Sequence, residues 1–379
     1  MKILHVIVGL ESGGAERTLQ RMVESDASNA AVAHCIVSLT GAGTIGPELQ
    51  RQGVDVQVLG LRSVLDLPRV FWQLLRAVRA AKPDIVQTWM YHADFLGGLA
   101  ARLAGRYPVI WCVRTTDLPA GDRSITALLR WACARLSHRI PDVIVCAAQA
   151  SRATHVAIGY DATKMVVVAN GYDFSRLSAR LDERHAWRAQ HGIAADELVV
   201  GSMGRWHADK DPDNFIRMAA ILGRQHARLR FLMVGRGLDH TNAALMRSLE
   251  GSGVAARCVL AGERQDVPQC LAAMDVFCLH SRTEAFPNVL AEAMAMGLPC
   301  VTTDVGDAAM VLGDCGYVVP KMDAAALAQG VTLLLQLEPA ERQALGARAR
   351  ERVRARFTIA AARAGFESVY QRLLNGARR

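Results

Sequence analysis

The sequence predicts two tandem α/β domains, each built on a doubly wound parallel sheet. Three observations predict it. Apolar runs of strand length alternate with helical patterns from the N-terminus onward, as in a sheet with helices on both faces. The alternation stops in a polar, charged stretch at 174–196 and restarts at 198–201. Finally, 379 residues exceed what one hydrophobic core usually serves.

The first strand is expected at 3–8. Gly9 and the pair Gly13-Gly14 follow, and a helix starts at Ala15. Glycines between a strand and a helix let backbone approach a ligand closely. Their spacing is not G-x-G-x-x-G, so a nicotinamide dinucleotide site has little support. Further strands are expected at 33–39, 55–59, 84–88, 109–113, 142–147 and 165–169. Such sheets bind ligands at the carboxyl ends of their strands. That rule points to Gly13-Gly14, to the segment from Trp89 to His92, and to the segment from Arg114 to Asp117. Asn170-Gly-Tyr-Asp173 closes the first half, and 174–196 reads as a linker. The second half has strands at 198–201, 229–234, 259–261, 276–279 and 300–303. Helices follow at 323–337 and 341–357. In 359–374, Phe366, Val369, Tyr370, Leu373 and Leu374 recur at helical spacing, which makes an amphipathic closing helix. The expected domains are 1–175 and 176–357, with a closing segment 358–379.

Nine cysteines are scattered with no C-x-x-C pair. They read as small buried hydrophobes in a reducing compartment. The first ten residues read as a strand entering a Gly-rich loop, not as a signal peptide. No apolar run is long enough to span a bilayer. The net charge of +8 points to an anionic partner. From Arg62 to Arg139 there are 12 Lys/Arg against 5 Asp/Glu. No nucleic-acid motif accompanies that surplus. The basic stretches from Arg69 to Arg79 and from Arg123 to Arg139 mix Arg with Trp and Leu. They suit an anionic membrane surface, the alternative being two ordinary crossover helices with Arg on the wet face.

The chemistry concentrates in Ser281-Arg-Thr-Glu-Ala-Phe-Pro-Asn-Val-Leu-Ala-Glu292. A strand precedes it, and a helix is expected to open with Pro287 in its first turn. The amides of Asn288 and Val289 then face outward at a positive helix end, a ready anion site. Glu284 and Glu292 bracket it, and carboxylates there suit hydroxyl groups better than phosphate. An anion site beside hydroxyl acceptors describes a sugar nucleotide, although a surface loop and an ordinary helix fit the same residues. In Gly201-Ser-Met-Gly-Arg-Trp-His-Ala-Asp-Lys210, Arg205 and Lys210 are paired cations able to neutralise a diphosphate. Gly235-Arg-Gly237 follows the next strand. Asp211-Pro-Asp213 has a metal-motif spacing but fits a helix N-cap better. His92 and Arg114, just past strand ends, are candidates to shuttle a proton and to hold an anionic group. Glu16 reads as a first-turn carboxylate facing the helix dipole.

Taken in order, Gly13-Gly-Ala-Glu16, Gly204-Arg205 with Lys210, Gly235-Arg-Gly237, the E-x7-E of Glu284 and Glu292, the run Glu292-Ala-Met-Ala-Met-Gly-Leu-Pro-Cys-Val301 and Gly316-Tyr-Val-Val-Pro320 resemble the family 4 retaining glycosyltransferases. The resemblance covers most of the chain. It implies the GT-B architecture, two Rossmann-like domains facing across a cleft, with the acceptor on the first, the nucleotide sugar on the second, and the closing helix of 358–379 crossing back to pack on the first. It implies that Arg205 and Lys210 hold the donor diphosphate, with help from Phe286, Pro287, Asn288 and Val289. Glu292 would accept from ribose hydroxyls, and Glu284 would lie near the transferred sugar. Gly235, Gly237 and Arg264 would border the base, and Gly13 and Gly14 would let the acceptor side approach the phosphates. The sequence departs from the family at Arg114, where many members carry a histidine, so His92 is the candidate for that role. The donor implied is a nucleotide sugar, UDP-linked, with no metal. The acceptor implied is a lipid-linked intermediate of bacterial surface polysaccharide, at the cytoplasmic face of the inner membrane. Competing readings are a nucleotide-sugar epimerase of similar fold and a non-catalytic nucleotide-sugar-binding protein.

Overall fold

The computed structural model describes residues 1–11, 13–27, 29, 31–116, 125–178 and 181–377. Asp117, and Arg123 at the head of the second basic stretch, lie outside the described residues. The chain divides into two compact units, one of Met1–Tyr172 with Ile359–Arg379, the other of Asp173–Thr358.

In the first unit, β1 (Lys2–Ile7), β2 (Ala33–Ser38), β3 (Asp55–Val58), β4 (Ile85–Trp89), β5 (Val109–Val113), β6 (Val143–Cys146) and β7 (Met165–Val167) form one sheet. Its order is β3-β2-β1-β4-β5-β6-β7, and all pairings are parallel. β5 is buried at every residue, which is why it reads as an uninterrupted apolar run. Helices α1 (Gly14–Ser25) and α2 (Ile45–Arg51) cover one face through Leu19 and Leu49. Helices α3 (Leu67–Ala81), α4 (Met90–Ala104) and α5 (Ile125–Leu136) cover the other through Val70, Leu74, Ala101 and Cys133. A sixth helix, α6 (Gln149–Ala157), precedes β7. Strand order reverses between β1 and β4, so the loop before α1 and the start of α4 lie at the point where open sheets take ligands.

The second unit begins with α7 (Leu181–Gln190) and then winds β8 (Leu198–Met203), α8 (Pro212–Gln225), β9 (Leu229–Val234), α9 (Ala243–Ser252), β10 (Cys258–Gly262) and α10 (Val267–Ala272). It continues with β11 (Val276–Leu279), α11 (Asn288–Ala295), β12 (Cys300–Thr303), α12 (Ala308–Leu312), β13 (Gly316–Val319), α13 (Ala324–Gln336) and α14 (Pro339–Arg356). The strands are again all parallel, in the order β10-β9-β8-β11-β12-β13. The reversal lies between β8 and β11. β13 is a sixth strand that the sequence reading did not mark.

The last helix, α15 (Ile359–Ala377), belongs to the first unit. Phe366, Val369 and Tyr370 enter its core. The Tyr370 hydroxyl donates to Gln87 Oε1 at 2.7 Å, and Arg363 Nε sits 2.7 Å from Asp26 Oδ1. All nine cysteines are free thiols, seven of them buried.

The linker reading of 174–196 is corrected. α7 is pinned to the second unit by its arginines. Arg184 Nη2 lies 2.7 Å from Asp275 Oδ1, and Arg188 Nη2 lies 2.6 Å from Asp275 Oδ2. Both guanidinia also donate to carbonyls, Arg184 to those of Ala272 and Met274 and Arg188 to that of Ala273. Asp275 Oδ2 further accepts from the Val199 amide at 2.8 Å. Asp275→Ala leaves Arg188 buried beside α10 without its counter-ion. Removing one partner of such a pair costs about 3–5 kcal/mol. A correspondingly lower unfolding midpoint in urea is expected, and a loss under about 1 kcal/mol would show that α7 is held by its carbonyl bonds and packing rather than by the ion pairs.

Candidate active site

The strand-order reversal of the second unit places two loops side by side, one after β8 and one after β11. The first tightens into a 3-10 turn at Ala208–Lys210. The second runs from His280 to Pro287. Backbone bonds stitch them together, since the amides of Arg282 and Thr283 donate to the Asp209 carbonyl at 2.7 and 3.3 Å. His280 lies beneath them. Its Nδ1 is 3.0 Å from the Asp211 carbonyl and its Nε2 is 2.9 Å from Ser202 Oγ. Burial pushes its pKa down to about 4, so the neutral ring donates from Nδ1 and accepts from the serine at neutral pH.

The stitching brings Lys210 and Glu284 into contact. Lys210 Nζ donates to Glu284 Oε1 at 2.5 Å, and Ser281 Oγ donates to the same oxygen at 2.8 Å. The carboxylate side chain is only 9% exposed and the lysine 25%. Arg205, on the same loop as Lys210, is exposed. Two cations and one carboxylate therefore share the carboxyl end of the second sheet.

Glycines make the close approaches around them. Gly235 has φ 141°, and a Cβ there would sit 1.8 Å from the Gly204 carbonyl oxygen. Its amide donates to the Gly262 carbonyl at 2.7 Å, and the Trp206 amide donates to that of Arg236 at 2.8 Å. Gly237, also left-handed at φ 76°, accepts from Asn242 Nδ2 at 2.7 Å. The loops after β8, β9 and β10 thus form one continuous rim. Arg264 stands on it with its guanidinium forked onto Asp266, at 2.7 and 2.8 Å. That fork and the Trp187 ring N–H hold the Asp266 carboxyl below the usual carboxylate range. A third loop supports Glu284 from behind. The Asp307 amide donates to the Ala285 carbonyl at 3.0 Å, and Gly306 lies against the backbone of Glu284. The sequence reading did not single out Gly306, Ser281 or His280.

Pro287 stands one residue before α11, not inside its first turn. Its carbonyl accepts from the amides of Leu290 and Ala291 at 3.1 and 3.3 Å. Asn288 and Val289 open the helix, at its positive end. The Phe286 side chain is buried edge-on against Phe357, with centroids 5.2 Å apart. Glu292 is half-buried one turn into the helix. The two acids of the D-x-D spacing are engaged elsewhere, Asp211 with Arg282 and Asp213 with Ser248 Oγ at 2.7 Å. Among the described residues no group of three or more His, Cys, Asp or Glu side chains could hold a metal ion.

In the first unit Gly13 caps α1 in extended conformation, and a Cβ on it would strike the Glu16 carboxylate, 2.3 Å away. Gly14 is exposed at the helix start. Glu16 lies in the first turn as expected, and burial raises its pKa. His92 is in the first turn of α4, half-buried, with its pKa lowered by burial. Arg114 is gripped inside the fold. Its guanidinium packs over Trp89 and Phe366, 5.2 and 5.6 Å from the ring centroids, and its Nη1 donates to Asn170 Oδ1 at 2.8 Å. Nε and Nη2 are buried with no hydrogen-bond partner among the described residues. Two aromatic faces thus stabilise a cation that burial disfavours.

Known proteins are similar to this chain in sequence and in fold. The family model described as Glycosyltransferase Family 4 matches residues 12–176, and that described as Glycosyl transferases group 1 matches residues 197–337. The sequence is 26% identical over 239 residues to the UDP-Gal:alpha-D-GlcNAc-diphosphoundecaprenol alpha-1,3-galactosyltransferase of Escherichia coli, covering 61% of this chain and 60% of that one. It is 26% identical over 334 residues to the lipopolysaccharide core biosynthesis mannosyltransferase LpcC of Rhizobium leguminosarum, covering 86% of this chain and 89% of that one. In structure it superposes on Anabaena HepE in complex with UDP, with TM-score 0.86 and 20% identity, over 98% of this chain and 100% of that one. The two family models between them take in most of the chain, and it belongs to the family 4 glycosyltransferases, with the GT-B fold.

Proposed function

We propose that the protein transfers a sugar, with retention of anomeric configuration, from a nucleoside diphosphate sugar to a lipid-linked acceptor during surface-polysaccharide assembly. The observation that carries this is the contact of Lys210 with Glu284 at the carboxyl ends of β8 and β11, beside the opening of α11. Sugar transfer from a diphosphate leaves negative charge on the leaving oxygen. Fixed cations and helix amides aimed at that oxygen lower the barrier most. Arg205 and Lys210 supply the charge, the first turn of α11 supplies amides at Asn288 and Val289, and Glu284 faces the sugar. Glu292 takes the ribose hydroxyls, while Gly235, Gly237 and Arg264 border the base. The leaving phosphate oxygen accepts the proton of the attacking hydroxyl, so no protein nucleophile is required. Gly13, Gly14 and His92 form the acceptor side, and Arg114 supports that end through Trp89 and Asn170. With two cations on the diphosphate the reaction needs no metal, and full activity in excess chelator is the expected result.

UDP is the nucleotide favoured, because it occupies the superposable HepE structure and forms part of the donor named for the E. coli relative. That relative's name also includes a diphosphoundecaprenol acceptor, which supports a lipid-linked acceptor here. The deciding experiment incubates the protein with radiolabelled UDP- and GDP-sugars, with and without bacterial membrane extract. Label entering the lipid fraction establishes transfer and identifies the donor. Interconversion of the sugar without transfer would favour an epimerase, and tight binding without either would favour a non-catalytic protein.

The acceptor reading is supported by a surface of the first unit. α3 turns Arg69, Trp72, Arg76 and Arg79 outward, and α5 turns Ile125, Leu128, Trp131 and Arg135 outward. Trp72 and Trp131 are 52% and 59% exposed, and each is stacked by an arginine one turn on, Arg76 at 5.4 Å and Arg135 at 5.5 Å. Indoles flanked by arginines suit the headgroup level of an anionic bilayer. No described helix is long and apolar enough to cross one. The double variant Trp72→Ser, Trp131→Ser is expected to bind phosphatidylglycerol vesicles about 10-fold or more weaker, with unchanged thermal stability. Equal binding of wild type and variant in vesicle sedimentation would remove this surface from the proposal.

A further inference from the structure

Asp211 holds a backbone conformation that both its side chain and its neighbour disfavour. Its φ of 48° and ψ of 56° are left-handed, where a Cβ is crowded. Pro212 follows, and a proline pushes the residue before it toward extended backbone. Glycine would make this turn with less strain. Asp211 is also only 1% exposed, so its carboxylate loses most of its hydration. A strained, desolvated acid where glycine would serve calls for a compensating gain.

Arg282 supplies it. Its Nε lies 2.9 Å from Asp211 Oδ2, and its Nη2 donates to Oδ1 at 3.1 Å. The guanidinium thus meets both carboxylate oxygens, through one hydrogen bond at Oδ1 and a close charge contact at Oδ2. One member of this fork adjoins Lys210 in sequence, and the other stands two residues before Glu284. The loops are therefore tied twice, by the backbone bonds to the Asp209 carbonyl and by the fork. A single tie would let one loop pivot against the other. Two ties remove that freedom, and His280 braces the Asp211 carbonyl from below at 3.0 Å.

We infer that Asp211 and Arg282 are a positioning pair that fixes Lys210 relative to Glu284 at the spacing the donor diphosphate requires. The inference rests on the reading that Lys210 and Glu284 act on the donor, and it adds residues that touch neither substrate nor the reacting atoms. Asp211→Gly removes the fork while relieving the backbone, so its fold should be as stable as wild type or more so. Arg282→Gln removes the fork from its more exposed end, 43% exposed, but leaves the buried Asp211 carboxylate without its cation, so its unfolding midpoint should fall.

The test titrates the full-length protein with UDP and with GDP by calorimetry and measures unfolding midpoints in parallel. For whichever nucleotide the wild type binds, Asp211→Gly and Arg282→Gln should each lower affinity about 10-fold, Asp211→Gly with no fall in midpoint. Arg282→Lys should recover only part, because an ammonium cannot fork. The double variant should lose no more than either single one, since both break one interaction. Affinity within twofold of wild type in both single variants, or losses that multiply in the double variant, would overturn the pair. Lys210→Ala separates the underlying reading. If it too leaves nucleotide affinity unchanged, or if wild type binds neither nucleotide, the donor assignment falls and the pair falls with it.

Discussion

Replacing Lys210 by alanine is expected to lower the rate of sugar transfer by about 10²-fold or more, the usual loss when one preorganised charge donor to a developing anion is removed. The loss should appear in kcat as well as in kcat/KM, because charge on the leaving diphosphate grows toward the transition state. The geometry also predicts a side effect. Glu284 is 9% exposed and receives both Lys210 Nζ and Ser281 Oγ. Without the lysine its charge is held by a neutral hydroxyl and by its remaining surroundings, and a buried charge that has lost its partner costs stability. Adding Glu284→Gln to Lys210→Ala should therefore restore part of any lost stability and none of the lost rate. Initial rates into the lipid fraction, paired with unfolding midpoints, separate the two effects. Transfer by Lys210→Ala within threefold of wild type would mean that the diphosphate is neutralised elsewhere.

The sheets were legible because their strands are short apolar runs with glycine or polar breaks at both ends, and runs of that kind need no partner to be recognised. β5 is buried throughout and was placed to the residue. β13 was missed because it is a half-exposed edge strand opened by glycine, and its pattern carries neither a buried run nor a clean alternation. α7 reads as a linker because its residues are polar and charged. Their partner Asp275 lies 87–91 residues further on, and nothing local announces it. Lys210 and Glu284 were found through motif spacing, although their contact spans 74 residues. Asp211 illustrates the limit, since the string Asp-Pro-Asp reads correctly as a helix start. Its left-handed backbone and its fork with Arg282 arise only when two loops meet. Arg114 shows the same limit from the other side. An arginine past a strand end reads as an anion ligand, whereas in the fold it is packed between Trp89 and Phe366, the latter from the last helix.

Gly306→Ala is the second substitution expected to act strongly, and it does so without removing any polar group. Gly306 has φ 53°, and a Cβ there would lie 2.2 Å from the Glu284 carbonyl oxygen and 2.5 Å from that of Ala285. Backbone cannot rotate aside as a side chain can, so the methyl must displace one loop from the other. The Asp307 amide is bonded to the Ala285 carbonyl at 3.0 Å, which ties the two loops and directs the displacement into the segment carrying Glu284. A shift of about 1 Å in a reacting group can cost 10²-fold in rate, and a loss of that order in kcat is expected. Stability should fall as well, by about 1 kcal/mol for the left-handed backbone alone and by more for the clash. The two effects part company in the nucleotide titration. The rim of Gly235, Gly237 and Arg264 is built from the loops after β9 and β10, so base binding should survive while transfer is lost. A variant that unfolds earlier yet transfers sugar at the wild-type rate in the cold would show that Glu284 tolerates displacement, and that its carboxylate is not held to the sugar by this loop.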